Sequence, residues 1–214
     1  RALACPRVHV MAGIADPDDA DARRRYVERI RRACDAAAQH GVEVLLEPIN
    51  AVDMPGYFLS RVPQARELLA EVDRPNVGLQ LDLYHAQITE GDLTRLVDTS
   101  VDLTRHVQIA GVPDRHEPDT GEVAYEHLFA HLDKAGYTGW VGCEYRPAGR
   151  TEDGAAWGST AQAVRARRSG DARPPRPQEG DVVGSQLSER TVGDPADLTF
   201  GIDRRSTDRN QEQA

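Results

Sequence analysis

Four short segments set the architecture: VEVLLE (42–47), VGLQLD (77–82), HVQIA (106–110) and WVGCEY (140–145). Each is a largely aliphatic run that carries one polar side chain at or near its C-terminal end: Glu47, Asp82, Gln108 or Glu144. A fifth strand candidate, RVHVM, occupies 7–11. Between the strands the period changes. In DPDDADARRRYVERIRRACDAAAQHG the Asp-rich start suits the positive end of a helix dipole. Val27, Ile30, Cys34, Ala37 and Ala38 recur at helical spacing, and Gly41 supplies a stop. Shorter helices are expected at 63–72, 92–103 and 125–135. Near-continuous apolar strands alternating with helices indicate a parallel sheet covered on both faces.

The four polar residues are separated by roughly one βα unit, about 30 residues in an eight-unit barrel of ~250. Such a barrel brings the C-terminal end of every strand to one face, where active sites are assembled. A lone acid at a strand end is commonly a helix cap or a surface charge. Four strand ends agreeing in register point instead to convergence. Three converging carboxylates repel one another unless a cation sits among them. The donors are oxygens with no cysteine, which favours Mg²⁺ or Mn²⁺ over zinc. His85, three residues past Asp82, is placed to hydrogen-bond a substrate. Arg115 lies in GVPDRHEP, a loop expected to overhang the site together with His116, and its fork suits a substrate carboxylate. His9, His40, His127 and His131 read as peripheral, and Asp98, Val101 and Thr104 as helix surface.

The net charge of −9 argues against a nucleic-acid surface, which needs clustered Lys and Arg. Cys5, Cys34 and Cys143 show neither metal-finger nor redox-pair spacing and read as reduced thiols of a cytoplasmic protein. No apolar run reaches membrane-spanning length. The expected partner is a small molecule, with homo-oligomerisation left open. The opening RALACPRVHV reads as the end of a helix feeding a strand, an unusual place for a domain to begin. Residues 158–214 are rich in Arg, Asp, Pro, Gly, Ser and Gln without a sustained period, so a disordered tail is expected after a domain spanning 1–157. Its ARPPRPQ stretch reads as solvated chain rather than a recognition segment.

LLEPIN, LQLDLYHAQ with EGDLTRL, HVQIAGVPDRHEPDTGE, and GWVGCEYRP with TEDGAAW together resemble the hydroxypyruvate isomerase family of xylose isomerase-like TIM barrels. The resemblance covers about 1–157. It implies that Glu47, Asp82, Gln108 and Glu144 are metal ligands. It also makes Glu47 and Glu144 the proton donor and acceptor, and His85 and Arg115 substrate contacts. Gln108 favours the hydroxypyruvate isomerase-like branch over sugar epimerases, which carry His there. The resemblance places 7–11 on the fourth barrel strand, so an incomplete (β/α)8 barrel of about strands four to eight is expected, the product of a truncated or frameshifted gene. The implied activity is interconversion of hydroxypyruvate and tartronate semialdehyde by metal-assisted proton transfer through an enediolate. The nearest alternative is an isomerase or epimerase of a longer sugar acid or ketose, such as a 2-oxo-tetronate isomerase. An inactive remnant or interaction protein is the alternative of another class. Endonuclease chemistry would need a His-rich zinc cluster and a basic surface, and neither is present.

Overall fold

The side chain of Asp19 accepts hydrogen bonds from the backbone N–H groups of Asp21 (2.8 Å) and Ala22 (3.1 Å), satisfying donors that a helix start leaves unpaired. The helix that follows, α1 (Ala20–Ala38), buries Tyr26, Val27, Ile30 and Cys34 along one stripe. Pro63 stands in the first turn of α2 (Val62–Val72), where its missing N–H costs nothing. These helices separate the strands of one parallel series: β1 (Arg7–His9), β2 (Glu43–Leu46), β3 (Val77–Asp82), β4 (Thr104–Ile109) and β5 (Val141–Tyr145). Each strand pairs in parallel with the next in sequence, as in a barrel wall. The computed structural model describes residues 5–154, residue 157 and the backbone of residues 198–202. Among the described residues no helix is long and apolar enough to cross a membrane.

The strands alternate rather than being apolar throughout. Val44 and Leu46, Val77, Leu79 and Leu81, Val107 and Ile109, and Val141, Cys143 and Tyr145 join the buried helix residues in one apolar cluster. The intervening residues point to the other face. Helical cover on both faces, expected from the strand sequences, is therefore corrected: the helices pack on one face. The loops after β2 and β4 bring Asn50 and Arg115 to the other.

Two elements depart from the sequence reading. Directly after β3 comes α3 (Leu83–Thr89), which was not expected, and only then α4 (Leu93–Ser100). The cause is local: Asp82 Oδ1 accepts from the backbone N–H of Tyr84 at 2.8 Å and caps the new helix at the strand's last residue. After α5 (Tyr125–Lys134), β5 and the short α6 (Thr151–Gly154), a sixth strand, β6 (Leu198–Ile202), pairs antiparallel with β5. Its sequence, LTFGI, carries β-branched and aromatic residues that suit a strand, within a segment expected to have no structure. The remainder of the expected tail, with ARPPRPQ, lies outside the described residues.

Leu68 is 0% exposed in the cluster between α2 and the sheet. Leu68→Ala is expected to lower unfolding stability by about 2–5 kcal/mol in urea denaturation. A loss below about 1 kcal/mol would mean that this interface is not packed as described.

Candidate active site

Alternation places His9, Gln80, Asp82, Gln108 and Glu144 on the face opposite the helices, and Glu47, one residue beyond β2, joins them. Glu47, Gln80, Asp82, His85 and Gln108 are all buried. Asp82 both caps α3 and serves the cavity: Oδ1 holds the Tyr84 N–H, while Oδ2 lies 3.6 Å from His85 Nε2.

The tautomer of His85 follows from its neighbour. Asn50 Oδ1 accepts from the backbone N–H groups of Val52 (3.0 Å) and Asp53 (2.8 Å), which turns its amide nitrogen towards His85 Nδ1 at 2.7 Å. Nδ1 is then the acceptor, and Nε2 carries the proton. Burial, and then the Arg115 charge, lower the His85 pKa to about 4, so the ring is neutral, and its protonated Nε2 lies 3.6 Å from Asp82 Oδ2, too far for a hydrogen bond.

A line of hydrogen bonds crosses the strands. Gln80 Nε2 donates to Glu47 Oε2 (2.9 Å) and to Gln108 Oε1 (2.6 Å), and Gln108 Nε2 donates to Glu144 Oε2 (2.9 Å). His9 Nδ1 lies 3.2 Å from the same Glu47 Oε2. Glu47 Oε1 and Asp82 Oδ2 are buried with no hydrogen-bond partner among the described residues.

Arg115 enters from the loop between β4 and α5. Its backbone is in the left-handed region, φ 58°, and its carbonyl accepts from Arg146 N at 2.7 Å. His116 Nδ1 donates to Arg146 O at 2.8 Å, joining this loop to the one after β5. Gly121 (φ 94°) permits the turn, since a Cβ there would strike the Val112 carbonyl. The Arg115 guanidinium lies 3.4 Å from Glu144, 3.7 Å from Asp53 and 3.9 Å from Asp82, and 5.0 Å from the Tyr84 ring centre.

Like charges and burial together unsettle the acids. Burial, then the charges of Asp82 and Glu144, push Glu47 well above the usual carboxylate range. Burial raises Asp82 to about 6, opposed by Arg115. Two unpartnered buried carboxylate oxygens near a third carboxylate fit a hard divalent cation. Glu47, Asp82 and His85 offer ligand atoms within 4.8 Å of one another. With its proton on Nε2, however, His85 has no lone pair there to give. Glu47, Asp82, Glu144 and the second lone pair of Gln108 Oε1 remain as the oxygen donors that could hold a divalent cation.

All six residues singled out in the sequence lie in this cluster. His40 is exposed, and His131 pairs at 2.7 Å with Asp98 on the outer helices, away from it. His9 is the correction: it touches Glu47 instead of lying at the periphery. Thr104 is likewise buried at the start of β4 rather than exposed on a helix. Gln80, Asn50 and Asp53 were missed. Gln80 was detectable, since it stands two residues before Asp82 in VGLQLD and so shares its face.

Residues 1–164 match the family described as xylose isomerase-like TIM barrel. The chain belongs to this family. The resemblance drawn from its four motifs is thus borne out. The chain is 50% identical over 153 residues to a 2-oxo-tetronate isomerase of Cupriavidus necator, covering 71% of this chain and 59% of that protein. It is 43% identical over 166 residues to a putative hydroxypyruvate isomerase of Mus musculus, covering 73% and 60% respectively. A crystal structure described as an AP endonuclease, family 2, from Brucella melitensis superposes with a TM-score of 0.71 at 52% identity, covering 74% of this chain and 62% of that one. The chain thus spans about three fifths of the length of these relatives.

A cation must compete with protons here, because Asp82 and Glu47 hold theirs to higher pH than ordinary carboxylates. Apparent Mn²⁺ affinity is expected to rise with pH through about 6. Binding at pH 6 should release protons, seen as calorimetric heats that change with the buffer's ionisation enthalpy. Heats independent of buffer would contradict the raised pKa values.

Proposed function

We propose that this site isomerises a short 2-oxo acid with a hydroxyl on the adjacent carbon, the simplest being hydroxypyruvate, which would become tartronate semialdehyde. The observation that carries the reading is the pairing of two glutamates, Glu47 and Glu144, at the ends of one hydrogen-bonded line, with Arg115 beside Glu144. One glutamate removes the proton from the hydroxyl-bearing carbon, and the other returns a proton to the former carbonyl carbon. With two acid–base groups, one can take the proton from the hydroxyl-bearing carbon and the other deliver one to its neighbour, while the hydroxyl proton passes to the former carbonyl oxygen, so that atoms balance through the enediol. Arg115 holds the substrate carboxylate in its fork. The Nε2–H of His85 donates to a substrate oxygen. Mg²⁺ or Mn²⁺ held by Glu47, Asp82, Gln108 and Glu144 would supply Lewis acidity at the carbonyl and neighbouring hydroxyl oxygens.

A second reading is favoured by the comparison of identities. The chain is 50% identical to the relative named for 2-oxo-tetronate and 43% identical to the one named for hydroxypyruvate. In it the same residues act on a four-carbon acid, and the ratio of kcat/KM for the two substrates separates the readings.

Turnover in D₂O should place deuterium on the carbon that gains the proton, read by NMR. Product formed without solvent label would point to hydride transfer instead. Arg115→Met is expected to raise KM by about tenfold or more by removing the charged carboxylate contact. An unchanged KM would remove Arg115 from substrate binding.

A further inference from the structure

The Gln80 amide has no part in the chemistry above, yet it makes two hydrogen bonds to groups of the site, one of them 2.6 Å long. It is buried, and both hydrogens of its nitrogen are committed, one to Glu47 Oε2 at 2.9 Å and one to Gln108 Oε1 at 2.6 Å. We propose that Gln80 is a positioning residue that fixes the working oxygens of the acid–base pair. The proposal rests on the acid–base reading of Glu47 and Glu144.

The Glu47 carboxylate and the Gln108 amide both turn about a terminal torsion that is broad and nearly two-fold, so packing alone leaves two faces available to each. Gln80 removes that freedom. Gln80 donates to Glu47 Oε2 at 2.9 Å and the His9 ring lies 3.2 Å from the same oxygen, leaving Oε1 without a hydrogen-bond partner among the described residues. With Gln108 Oε1 turned to Gln80, the Gln108 nitrogen is directed to Glu144 Oε2 at 2.9 Å. A flipped Gln108 would set one NH₂ group against another and its oxygen against the Glu144 carboxylate. One neutral amide thereby sets the orientation of groups on three other strand ends. Its chemistry suits the position: a lysine would neutralise Glu47, and a carboxylate would add a further acceptor between Glu47 and Gln108.

The test is Gln80→Met, which keeps the volume and removes both donors. Mn²⁺ affinity by calorimetry is expected to fall about 10- to 100-fold, the usual consequence of losing a partner that orients ligands. With the short 2-oxo acid, kcat should fall more than KM rises, while the thermal transition stays cooperative. A purely structural role would lower the melting temperature and leave Mn²⁺ affinity and kcat within about twofold of the parent, and that result overturns the proposal. If Gln80→Met does not fold, Gln80→Glu, of the same shape, decides by the same measurements. If the parent chain binds no Mn²⁺ and turns over no 2-oxo acid, the functional reading fails on its own. The clamp is then judged by NMR: slow solvent exchange of the Gln80 and Gln108 side-chain amide protons supports it, and fast exchange overturns it.

Discussion

Glu47 and Asp82 are carboxylates placed out of water within reach of one another's charge, and most of the surrounding structure manages that placement. Burial alone disfavours the ionised form, and a like charge nearby disfavours it further. The protein answers with partial compensation. Gln80 and His9 attend one oxygen of Glu47, the first turn of α3 attends one oxygen of Asp82, and Arg115 lies within 3.9 Å of Asp82. One oxygen on each acid remains without a hydrogen-bond partner. Holding two such oxygens out of water costs stability, and a divalent cation among these acids would offset that cost.

The means of holding them is the alternation of the strands. Strands β2 to β5 turn Val44 and Leu46, Val77, Leu79 and Leu81, Val107 and Ile109, and Val141, Cys143 and Tyr145 to the helices, and the opposite face carries Gln80, Asp82, Gln108 and Glu144 together with Leu45 and the glycines of β3 and β5. The apolar face makes the wall stable, and the polar face inherits its rigidity. Because the strands are parallel, their C-terminal ends sit at one level, so side chains far apart in sequence meet without long loops. Asn50, Asp53 and Arg115 arrive on loops. The left-handed backbone conformation of Arg115 is braced by contacts from Gly111 and Arg146.

Strand order, parallel pairing and the convergence of the six residues were legible because they rest on period and spacing, which survive in sequence. What was not legible depends on side chains acting at short range. The α3 helix begins because one oxygen of Asp82 caps it, and a reading that assigned Asp82 wholly to the cavity left no cap to start a helix. His9 reads as peripheral in the sequence, although alternation along β1 puts it on the same face as the site. The tautomer of His85, which separates a ligand from a donor, depends on two backbone N–H groups in the Asn50 loop, and spacing carries no trace of them. Gln80 was passed over as one more polar residue within an apolar run.

In the proposed function the polar face gathers oxygen donors able to hold a divalent cation, with His85 as a hydrogen-bond donor beside it rather than a ligand. Anomalous diffraction from crystals grown with Mn²⁺ addresses this most directly. One peak is expected about 2.0–2.2 Å from oxygens of Glu47, Asp82, Gln108 and Glu144, with His85 Nε2 outside bonding distance. A peak bonded to His85 Nε2, or no peak in this cavity at saturating Mn²⁺, would contradict it.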